Sequence, residues 1–364
     1  MAINSKHHTI SIITSEFPPL PGGIGNHAYM LSKYLQKNGY VITVLSDFRS
    51  EEEDLVFDAQ QAFKIVRIKR NPFTYFNRVK KGFVLVKDNA VVIASGKFSL
   101  WLVSFLRLFF GQKKYIAVLH GTELRAGNLI AQRLTKWSLK QFDSCVAVSN
   151  YTKNVALSLQ PQLSIEVINN GIESETKEVS KTIINEEINL VTVGNLTFRK
   201  GQQNVIKALP LLRTTFPKIH YHCIGIPTEI KAFSALADAL KVTAYSTFHG
   251  ALSEQNKNEI LKDSSVFVML SDVVKNDFEG FGIAVLEANA LGIPAIGSEN
   301  SGIADAIKNN FSGILISPHE PEAFRKALVA ITDNYSDFSS NALVWSSAFH
   351  WDLIVQKYIN VIEQ

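Results

Sequence analysis

The sequence predicts an α/β protein made of two doubly wound domains in series. Its 364 residues suffice for two domains at roughly 100–200 residues each. Short β-branched apolar runs alternate with amphipathic stretches, a pattern typical of parallel sheets covered by helices. The alternation restarts after the polar and charged segment 173–188. We therefore assign residues 1–172 to the first domain, 173–188 to a linker and 189–347 to the second domain.

The first domain opens with a strand, a helix and a second strand. His8–Thr14 and Tyr40–Ser46 are short and apolar, as buried strands are, and Asn26–Lys37 between them has helical spacing. A unit of this length forms a right-handed βαβ crossover. Further strands are predicted at Ala90–Ala94, Tyr115–Leu119 and Ser144–Val148.

The second domain repeats the alternation, and the chain ends in a helix. Strands are predicted at Asn189–Val193, Ile219–Ile224, Ser246–His249, Val266–Leu270, Ala295–Gly297 and Gly313–Ile316. Helices are predicted at Gln202–Arg213, Ser253–Lys262, Ala284–Leu291, Pro321–Thr332 and Ala348–Gln364.

Composition excludes several classes of protein. A hydrophobic share of 46% can bury a core, which excludes general disorder. The net charge of +4 is too small for a dedicated nucleic-acid binder, so we expect no nucleic-acid partner. The two cysteines, Cys145 and Cys223, argue against a disulfide framework or a cysteine-rich zinc site and favour a reduced cytosol.

No targeting or membrane-spanning segment is predicted. The N-terminus lacks the apolar run of a signal peptide, and Phe98–Phe110 is shorter than the roughly 18–20 residues of a membrane span. Charge is divided unevenly, with a net +9 in residues 1–185 and −5 in residues 186–364. This asymmetry suggests that the two domains bind different partners.

Three loops after predicted strands have the residues of a phosphate site, because ligands of doubly wound sheets bind beyond the carboxyl ends of the strands. The first contains Gly22, Gly23 and Gly25 before a helix. It formally fits a dinucleotide-binding pattern with Asp47 about 20 residues on, but a proline-rich insert precedes the glycines. A nicotinamide site and a plain glycine-rich turn are both alternatives here.

The second loop is GNLTFRKG, residues 194–201, directly after a predicted strand. Arg199 and Lys200 stand at a strand–helix junction, where they can clamp phosphate oxygens. The alternative is a pair of ordinary surface cations.

The third loop becomes a helix within FEGFGIAVLEANALGIPAIG, residues 278–297. It contains Glu279, Gly280, Phe281 and Gly282. Backbone N–H groups at residues 281–283 would face an anion, and glycine allows close approach. Glu287 follows Glu279 by eight residues, about two helical turns, and can accept hydrogen bonds from ribose hydroxyls. A solvated helix face is the alternative for this glutamate pair.

These residues resemble a known family. The E-G-F-G-x-x-x-x-E segment, the G-x-L-x-x-x-K-G segment and the early Gly-Gly loop are similar to those of the retaining glycosyltransferases of family four. The resemblance runs from Ser15 to the last helix. It implies the GT-B fold, in which two Rossmann-like domains face each other across a cleft. The final helix, about 348–364, would then cross back to the first domain.

The resemblance also implies roles for the residues of the second domain. Glu287 would bind the ribose of a nucleotide-sugar donor, and Glu279 would contact the transferred sugar. The amides of Phe281 and Gly282 would meet sugar or phosphate groups, with Gly280 beside them. Lys200 would neutralise the diphosphate.

In the first domain, which would hold the acceptor, the resemblance assigns Gly22 and Gly23 to the donor diphosphate. His120, in HGTEL, would reach the donor sugar or the reacting centre, so Glu279 and His120 are the catalytic candidates. A histidine hydrogen-bonded at a strand end is the alternative for His120. Asn195 stands where the family has arginine; Arg199, beside Lys200, can compensate.

Glycosyl transfer requires stabilisation of the departing diphosphate. The sequence has no Asp-x-Asp metal motif, so we predict that cations and helix N-termini perform this task without a metal and without a cofactor. The resemblance implies retention at the anomeric carbon, a UDP- or GDP-linked sugar as donor, and a glycan or lipid-linked acceptor of cell-surface polysaccharide such as lipopolysaccharide. A non-catalytic GT-B subunit that binds a glycan or a partner is the alternative, and an NAD-dependent oxidoreductase is a third.

Residues 64–81 contain seven Lys/Arg and no Asp/Glu, with Phe73, Tyr75 and Phe76 among them. A basic, aromatic segment can rest on an anionic membrane, which predicts a cytoplasmic protein, peripheral on the inner face of the cell membrane. An ordinary basic strand and loop is an equal alternative.

Overall fold

The computed structural model describes residues 8–19, 22–124, 127–173, 187–275 and 277–364, and the chain divides into two compact units. The first unit comprises Met1–Gly171 and Trp351–Gln364, and the second comprises Ile172–His350. Most of the predicted linker, residues 174–186, lies outside the described residues. The domain boundaries assigned from the sequence therefore stay a prediction.

The first unit is a seven-stranded parallel sheet with the order β3-β2-β1-β4-β5-β6-β7. Its strands are β1 (Thr9–Thr14), β2 (Val41–Asp47), β3 (Lys64–Ile68), β4 (Val91–Ser95), β5 (Lys114–Leu119), β6 (Ser144–Ala147) and β7 (Ile165–Val167). Its helices are α1 (Gly23–Lys37), α2 (Glu51–Ala59), α3 (Thr74–Asp88), α4 (Lys97–Arg107), α5 (Leu129–Leu139) and α6 (Asn150–Leu159).

The second unit is a six-stranded parallel sheet with the order β10-β9-β8-β11-β12-β13. Its strands are β8 (Ile188–Val193), β9 (Ile219–Ile224), β10 (Ser246–Gly250), β11 (Val266–Met269), β12 (Ala295–Ser298) and β13 (Gly313–Ile316). Its helices are α7 (Gln202–Thr215), α8 (Ile230–Ala239), α9 (Glu254–Asp263), α10 (Ile283–Asn289), α11 (Pro321–Asp333) and α12 (Tyr335–Ser347).

The last helix, α13 (Trp351–Glu363), belongs to the first unit, as predicted. It packs on α1, and the rings of Trp351 and Tyr34 lie 5.9 Å apart. A Cβ on Gly171 would stand 2.9 Å from the Trp351 ring, so a glycine is needed where the chain passes beneath this helix. The hydroxyl of the buried Tyr358 hydrogen-bonds His27 Nε2 at 3.0 Å.

Two parallel α/β sheets confirm the predicted fold class, and the strand order locates the place in each sheet where ligands bind. In each sheet the direction in which successive strands are added changes at one pair of neighbouring strands, which is β1 with β4 in the first unit and β8 with β11 in the second. Because the crossovers on the two sides of such a pair diverge, a crevice opens at the carboxyl ends of its strands. The loops after β1, β4, β8 and β11 therefore border the crevices in which a ligand would bind.

Strand β3 occupies Lys64–Ile68, within the basic segment 64–81 for which a strand and loop was one of two equal predictions. Of the β3 side chains only Ile68 is buried, so the strand has a weak apolar signal. Arg67 is an exception among the basic residues 64–81, because its side chain is 2% exposed and bonds Asp58 at 2.7 Å. None of the helices in the described part of the chain has the length and apolar character needed to cross a membrane.

Candidate functional site

The loop after β8 in the second unit carries Arg199 and Lys200 on a single 3-10 turn, Phe198–Lys200. Gly201 follows with φ 83, in the left-handed region. A Cβ there would stand 1.7 Å from the Leu270 carbonyl oxygen, at the end of β11. Glycine at this position therefore lets the β8 loop close against the β11 loop at the point where the sheet changes direction.

Glu279, on the loop after β11, receives both cations. Lys200 Nζ lies 3.0 Å from Glu279 Oε2, and Arg199 hydrogen-bonds the same oxygen. Arg199 Nε also lies 3.4 Å from Asp277 Oδ2. Burial acts to raise the pKa of the Glu279 carboxyl, but Lys200 and Arg199 outweigh burial and hold that pKa below its usual value. Glu279 is therefore ionised at neutral pH.

This triplet keeps its capacity to bind a further anion. An ammonium has three N–H donors and a guanidinium has five, and one carboxylate uses only part of them. The side chains of Arg199 and Lys200 are 26% and 15% exposed, so they are partly desolvated and yet reachable. Asn195, at the start of the same loop, is exposed.

Gly302 holds the Glu279–Gly280 backbone in place, and this residue was not predicted from the sequence. Its N–H donates to the Glu279 carbonyl at 2.9 Å. A Cβ on Gly302 would stand 2.1 Å from the Gly280 carbonyl oxygen. The only signal in the sequence is a Ser-Gly pair shortly after a predicted strand, and such pairs are common in turns.

Three buried serine hydroxyls join the loop after β11 to the loop after β12. Ser271 Oγ lies 2.7 Å from Ser298 Oγ and 2.9 Å from Ser301 Oγ, and the last two are 2.9 Å apart. Ser301 Oγ also accepts from the Ile303 N–H at 3.2 Å. This cluster fixes the turn that begins at Gly302 behind the Glu279 loop.

The glycine-bounded helix start is present, at the sequence position predicted. Gly282 has φ 92 and precedes the first residue of α10, Ile283. Phe281 directs its side chain into the core, where it is 2% exposed. Within the described part of the chain, the N–H groups of Phe281, Gly282 and Ile283 donate no backbone hydrogen bond. These amides therefore retain unused donors.

Glu287 on α10 is not part of the Glu279 cluster. Its side chain is 38% exposed, and Oε2 lies 3.7 Å from Nζ of Lys257 on α9. Lys257 also pairs with Glu254 at 2.6 Å. Burial acts to lower the pKa of the Lys257 ammonium, but Glu287 and Glu254 outweigh it and the net pKa is raised. Lys257 was not predicted, because a lysine on a polar helix gives no signal in the sequence.

In the first unit, Gly22 precedes α1 and Gly23 is its first residue. A Cβ on Gly23 would meet nothing within 4 Å, whereas one on Gly25 would stand 3.0 Å from the Phe17 backbone nitrogen. The packing of the helix on the preceding loop thus requires Gly25. Around Gly23 the backbone has open space, which an anion can approach.

His120 follows β5 and is buried. Its Nε2 hydrogen-bonds Ser95 Oγ at 3.0 Å, and its ring meets that of His27 edge-to-face at 4.9 Å. The Glu123 carboxylate accepts from the backbone N–H groups of His120 and Gly121. Burial lowers the pKa of the His120 imidazole to about 4, so the ring is neutral at physiological pH. A neutral imidazole can accept or donate a hydrogen bond but carries no charge.

Asp47 is not available to a dinucleotide ribose. Its side chain is 2% exposed and is bonded by Arg78, with Arg70 Nε at 3.5 Å. This arrangement removes the nicotinamide alternative for the first glycine loop. The described residues also include no group of three or more His, Cys, Asp or Glu side chains placed to hold a metal ion.

Comparisons with known proteins agree with the architecture. The family model described as "Glycosyltransferase Family 4" matches residues 21–176, and the model described as "Glycosyl transferases group 1" matches residues 173–342. The glycogen synthase of Mycobacterium tuberculosis is 24% identical, over 89% of this chain and 86% of its own. The GDP-mannose-dependent alpha-(1-6)-phosphatidylinositol monomannoside mannosyltransferase of Mycolicibacterium smegmatis is 23% identical, over 94% and 93%.

A solved structure has the same fold. The crystal structure of Anabaena Alr3699/HepE in complex with UDP and glucose superposes with a TM-score of 0.78, over 98% of this chain and 100% of that chain, at 15% identity. The chain has two parallel α/β units and is similar in fold to this structure over nearly its whole length. Two family models of glycosyltransferases together match residues 21–342. The chain therefore belongs to the glycosyltransferases of the GT-B fold.

Proposed function

We propose that this protein is a retaining glycosyltransferase that moves a sugar from a UDP- or GDP-linked donor to a glycan or lipid-linked acceptor, without a metal ion. The observation that carries the proposal is the cluster of Arg199, Lys200 and Glu279 where the second sheet changes direction. Two adjacent cations beside unused backbone amides suit a diphosphate, and a carboxylate beside them suits sugar hydroxyls.

In the proposed donor complex, oxygens of the diphosphate bind the remaining N–H donors of Arg199 and Lys200. As the glycosidic bond to the diphosphate breaks, negative charge grows on the leaving oxygen, and these fixed cations stabilise it. Because Glu279 holds both cations in place, little reorganisation is needed when the charge develops. Glu279 also accepts hydrogen bonds from the hydroxyls of the sugar being transferred.

Glu287 is proposed to hold the ribose. Its exposed carboxylate has Lys257 at 3.7 Å, a distance that leaves its oxygens able to accept from two vicinal hydroxyls. Lys257, kept charged by Glu254 and Glu287, would orient this carboxylate without neutralising it fully.

Independence from metals is supported by the two cations, which supply the positive charge that a divalent ion would otherwise bring to the diphosphate. Retention rests on the similarity to family four and is tested by the anomeric configuration of the product.

A thermal-shift panel of UDP-, GDP- and ADP-sugars, each with magnesium and with EDTA, tests the donor proposal. A bound donor raises the melting temperature by mass action, and we expect the same rise with EDTA as with magnesium. A rise confined to the samples with magnesium would refute metal independence. No rise with any of the donors, together with no donor hydrolysis, would favour the non-catalytic alternative.

Glu287→Ala tests the ribose assignment. We expect at least about a tenfold loss of affinity for the nucleotide, measured by titration calorimetry, because two hydrogen bonds to a charged acceptor disappear. Glu259→Ala, which removes an exposed carboxylate from α9, is the matched control. Equal affinities of the two variants would mean that Glu287 does not bind the nucleotide.

A lipid-linked acceptor and peripheral attachment to the inner face of the cell membrane are supported by the start of α3. Phe73 and Phe76 are 69% and 68% exposed, and Lys80 is exposed one turn after Phe76. Apolar rings beside lysines suit an anionic bilayer surface. The mycobacterial mannosyltransferase named above acts on phosphatidylinositol monomannoside, which is a lipid acceptor of this kind.

Sedimentation with vesicles tests the membrane proposal. We expect binding to vesicles containing phosphatidylglycerol, weaker binding to phosphatidylcholine alone, and loss of binding in Phe73→Ser/Phe76→Ser. The variant Val344→Ser, which changes an exposed apolar residue of α12, is the control. Equal sedimentation with neutral and anionic vesicles would contradict the proposed attraction of the lysines to anionic lipid.

A further inference from the structure

The first unit has a cavity of about 610 Å³ where its own sheet changes direction. Ser15 and Glu16 follow β1, and Gly96 and Lys97 follow β4, the two strands at that point. The volume lies within the range of about 300–1,000 Å³ that is common for small-molecule sites. The remaining lining residues are Ile24, Tyr75, Arg78, Phe98, Trp101 and Thr122.

Three aromatic side chains form one side of the cavity. The rings of Tyr75 and Phe98 lie 5.4 Å apart, and Trp101 stands on α4 one turn after Phe98. The indole N–H of Trp101 donates to Thr135 Oγ1 at 3.2 Å, which fixes the orientation of its ring. Fixed aromatic faces pack against the apolar C–H faces of pyranose rings with little loss of conformational entropy.

Cations are interleaved with these rings. The Arg78 guanidinium lies 4.2 Å from the Phe98 centroid, and Lys97 Nζ lies 5.5 Å from the Trp101 centroid. Arg49 reaches the Ser15 carbonyl at 3.4 Å at the same edge.

Two carboxylates oppose these cations. Asp47 is buried and is bonded by both Arg78 and Arg70, and Glu16 lines the cavity. Of the residues that line the cavity, Arg78 and Lys97 are cationic and Glu16 is anionic, so the lining itself is net positive by one charge.

The cavity also adjoins the candidate catalytic histidine. Ser95, the hydrogen-bond partner of His120 Nε2, directly precedes Gly96 of the lining. Thr122 of the lining lies two residues after His120. A ligand in the cavity is therefore next to the group expected at the reacting centre.

From these observations we infer that the cavity binds the acceptor, and that the acceptor is an anionic saccharide whose phosphate or carboxylate is held by Lys97 and whose sugar rings stack on Tyr75, Phe98 and Trp101. This inference rests on the proposed function. Aromatic rings alone would accept neutral sugars; net positive charge beside them adds a preference for a negatively charged one. Tyr75 and Arg78 stand on α3, the helix that begins with the proposed membrane contact, so a phosphate-linked lipid acceptor reaches the cavity from that side.

Saturation-transfer NMR on the full chain without donor tests the inference. The probes are glucose 1-phosphate, glucuronate, methyl glucoside and inorganic phosphate, all at millimolar concentration. We expect at least one of the two anionic sugars to bind about tenfold more tightly than methyl glucoside. A preference for glucose 1-phosphate indicates a phosphate-linked acceptor, and one for glucuronate indicates an acidic polysaccharide.

Variants assign the binding to this cavity. Lys97→Met keeps the length of the side chain and removes its charge, and we expect it to abolish the preference for anionic sugars. Tyr75 is 67% exposed, and we expect Tyr75→Ser to weaken the binding of anionic and neutral sugars alike. Lys140→Met, which removes an exposed lysine at the end of α5, is the control.

Several results would overturn the inference. They are equal binding of neutral and anionic sugars, an anion preference that survives Lys97→Met, binding of inorganic phosphate as tight as that of glucose 1-phosphate, and no binding by either anionic sugar. UDP binding, measured in parallel, separates this inference from the proposed function. If UDP binds and the sugar tests fail, the acceptor assignment alone is wrong.

Discussion

Lys200 and Arg199 share one carboxylate, and their roles can be separated by substitution. Lys200→Met removes one of two cations proposed to bind the diphosphate, so we expect kcat/KM to fall about 10²–10³-fold, as when a single electrostatic contact to a developing charge is lost. Stability should change little, because Arg199 still pairs with Glu279. Steady-state kinetics and urea unfolding measure the two effects.

Lys231→Met, at an exposed position of α8, is the control for that substitution. A kcat/KM for Lys200→Met within threefold of the wild type would mean that Lys200 does not act on the diphosphate.

His120 gives a prediction about pH. Burial lowers the pKa of its imidazole from the ordinary 6.5 to about 4, so the unfolded chain binds more protons than the folded chain between these values. The stability that comes from the neutral ring is complete above pH 6.5 and is lost as the pH falls towards 4. His120→Gln has no titrating ring, and we expect its free energy of unfolding to fall less steeply over this interval.

Urea unfolding of wild type and His120→Gln at pH 7, 6 and 5 provides the measurement. Parallel loss of stability in the two proteins would show that the pKa of His120 is not lowered by folding. The pKa of His27 is lowered by burial and by the adjacent His120, so His27 also responds to this substitution. The variants His27→Gln and His27→Gln/His120→Gln, measured in the same way, separate its contribution from that of His120.

At the scale of elements, the candidate donor site depends on the close approach of three loops. Gly201 brings the β8 loop to Leu270, and Gly302 brings the turn after β12 to Gly280. Neither glycine contacts the proposed donor through a side chain. Their function is to set the distance between loops that carry the charged residues.

Gly302→Ala tests this role. Its new Cβ would overlap the Gly280 carbonyl oxygen, a backbone atom that cannot rotate away, so the Glu279 loop must shift. We expect a loss of at least about 2 kcal/mol in the free energy of unfolding, together with weaker binding of UDP or GDP. Gly111→Ala, whose Cβ would meet nothing within 4 Å, is the control. Unchanged stability and nucleotide affinity in Gly302→Ala would contradict the structural role.

At the scale of the whole molecule, the chain leaves the first unit at residue 171 and returns to it at residue 351. The returning helix α13 buries Trp351, Ile354, Tyr358 and Ile362 against the unit where the chain began. The first unit therefore cannot be completed until the last residues are available.

Truncation after His350 tests this dependence. The missing helix would uncover the face of α1 that carries His27 and Tyr34, so we expect faster hydrogen exchange in α1 and the neighbouring strands. The strands β8 to β13 should exchange as in the full chain, because α13 is not part of their unit. Unchanged exchange in α1 would show that α13 contributes little to the first unit.

Most of the strands that the sequence predicted correctly contain buried apolar residues. Ile219–Ile224 and Gly313–Ile316 were predicted with the bounds observed, and β1, β8 and β11 within a residue. Buried parallel strands are continuous apolar runs, which single-sequence patterns detect well. The three-residue β7 and the serine-rich α12 lack such runs and were missed, and the basic β3 was predicted only as one of two alternatives.

The sequence by itself determined the fold class and singled out most of the residues proposed for the candidate site, because apolar periodicity and glycine-bounded loops are local features. Only the tertiary structure decided which groups meet. It joined Arg199 and Lys200 to Glu279, gave Glu287 the unforeseen partner Lys257, and made Asp47 a buried counter-ion of Arg78. It also revealed the cavity between the ends of β1 and β4. These pairings join residues far apart in the chain, and side-chain charge alone does not specify which of many possible partners lies within reach.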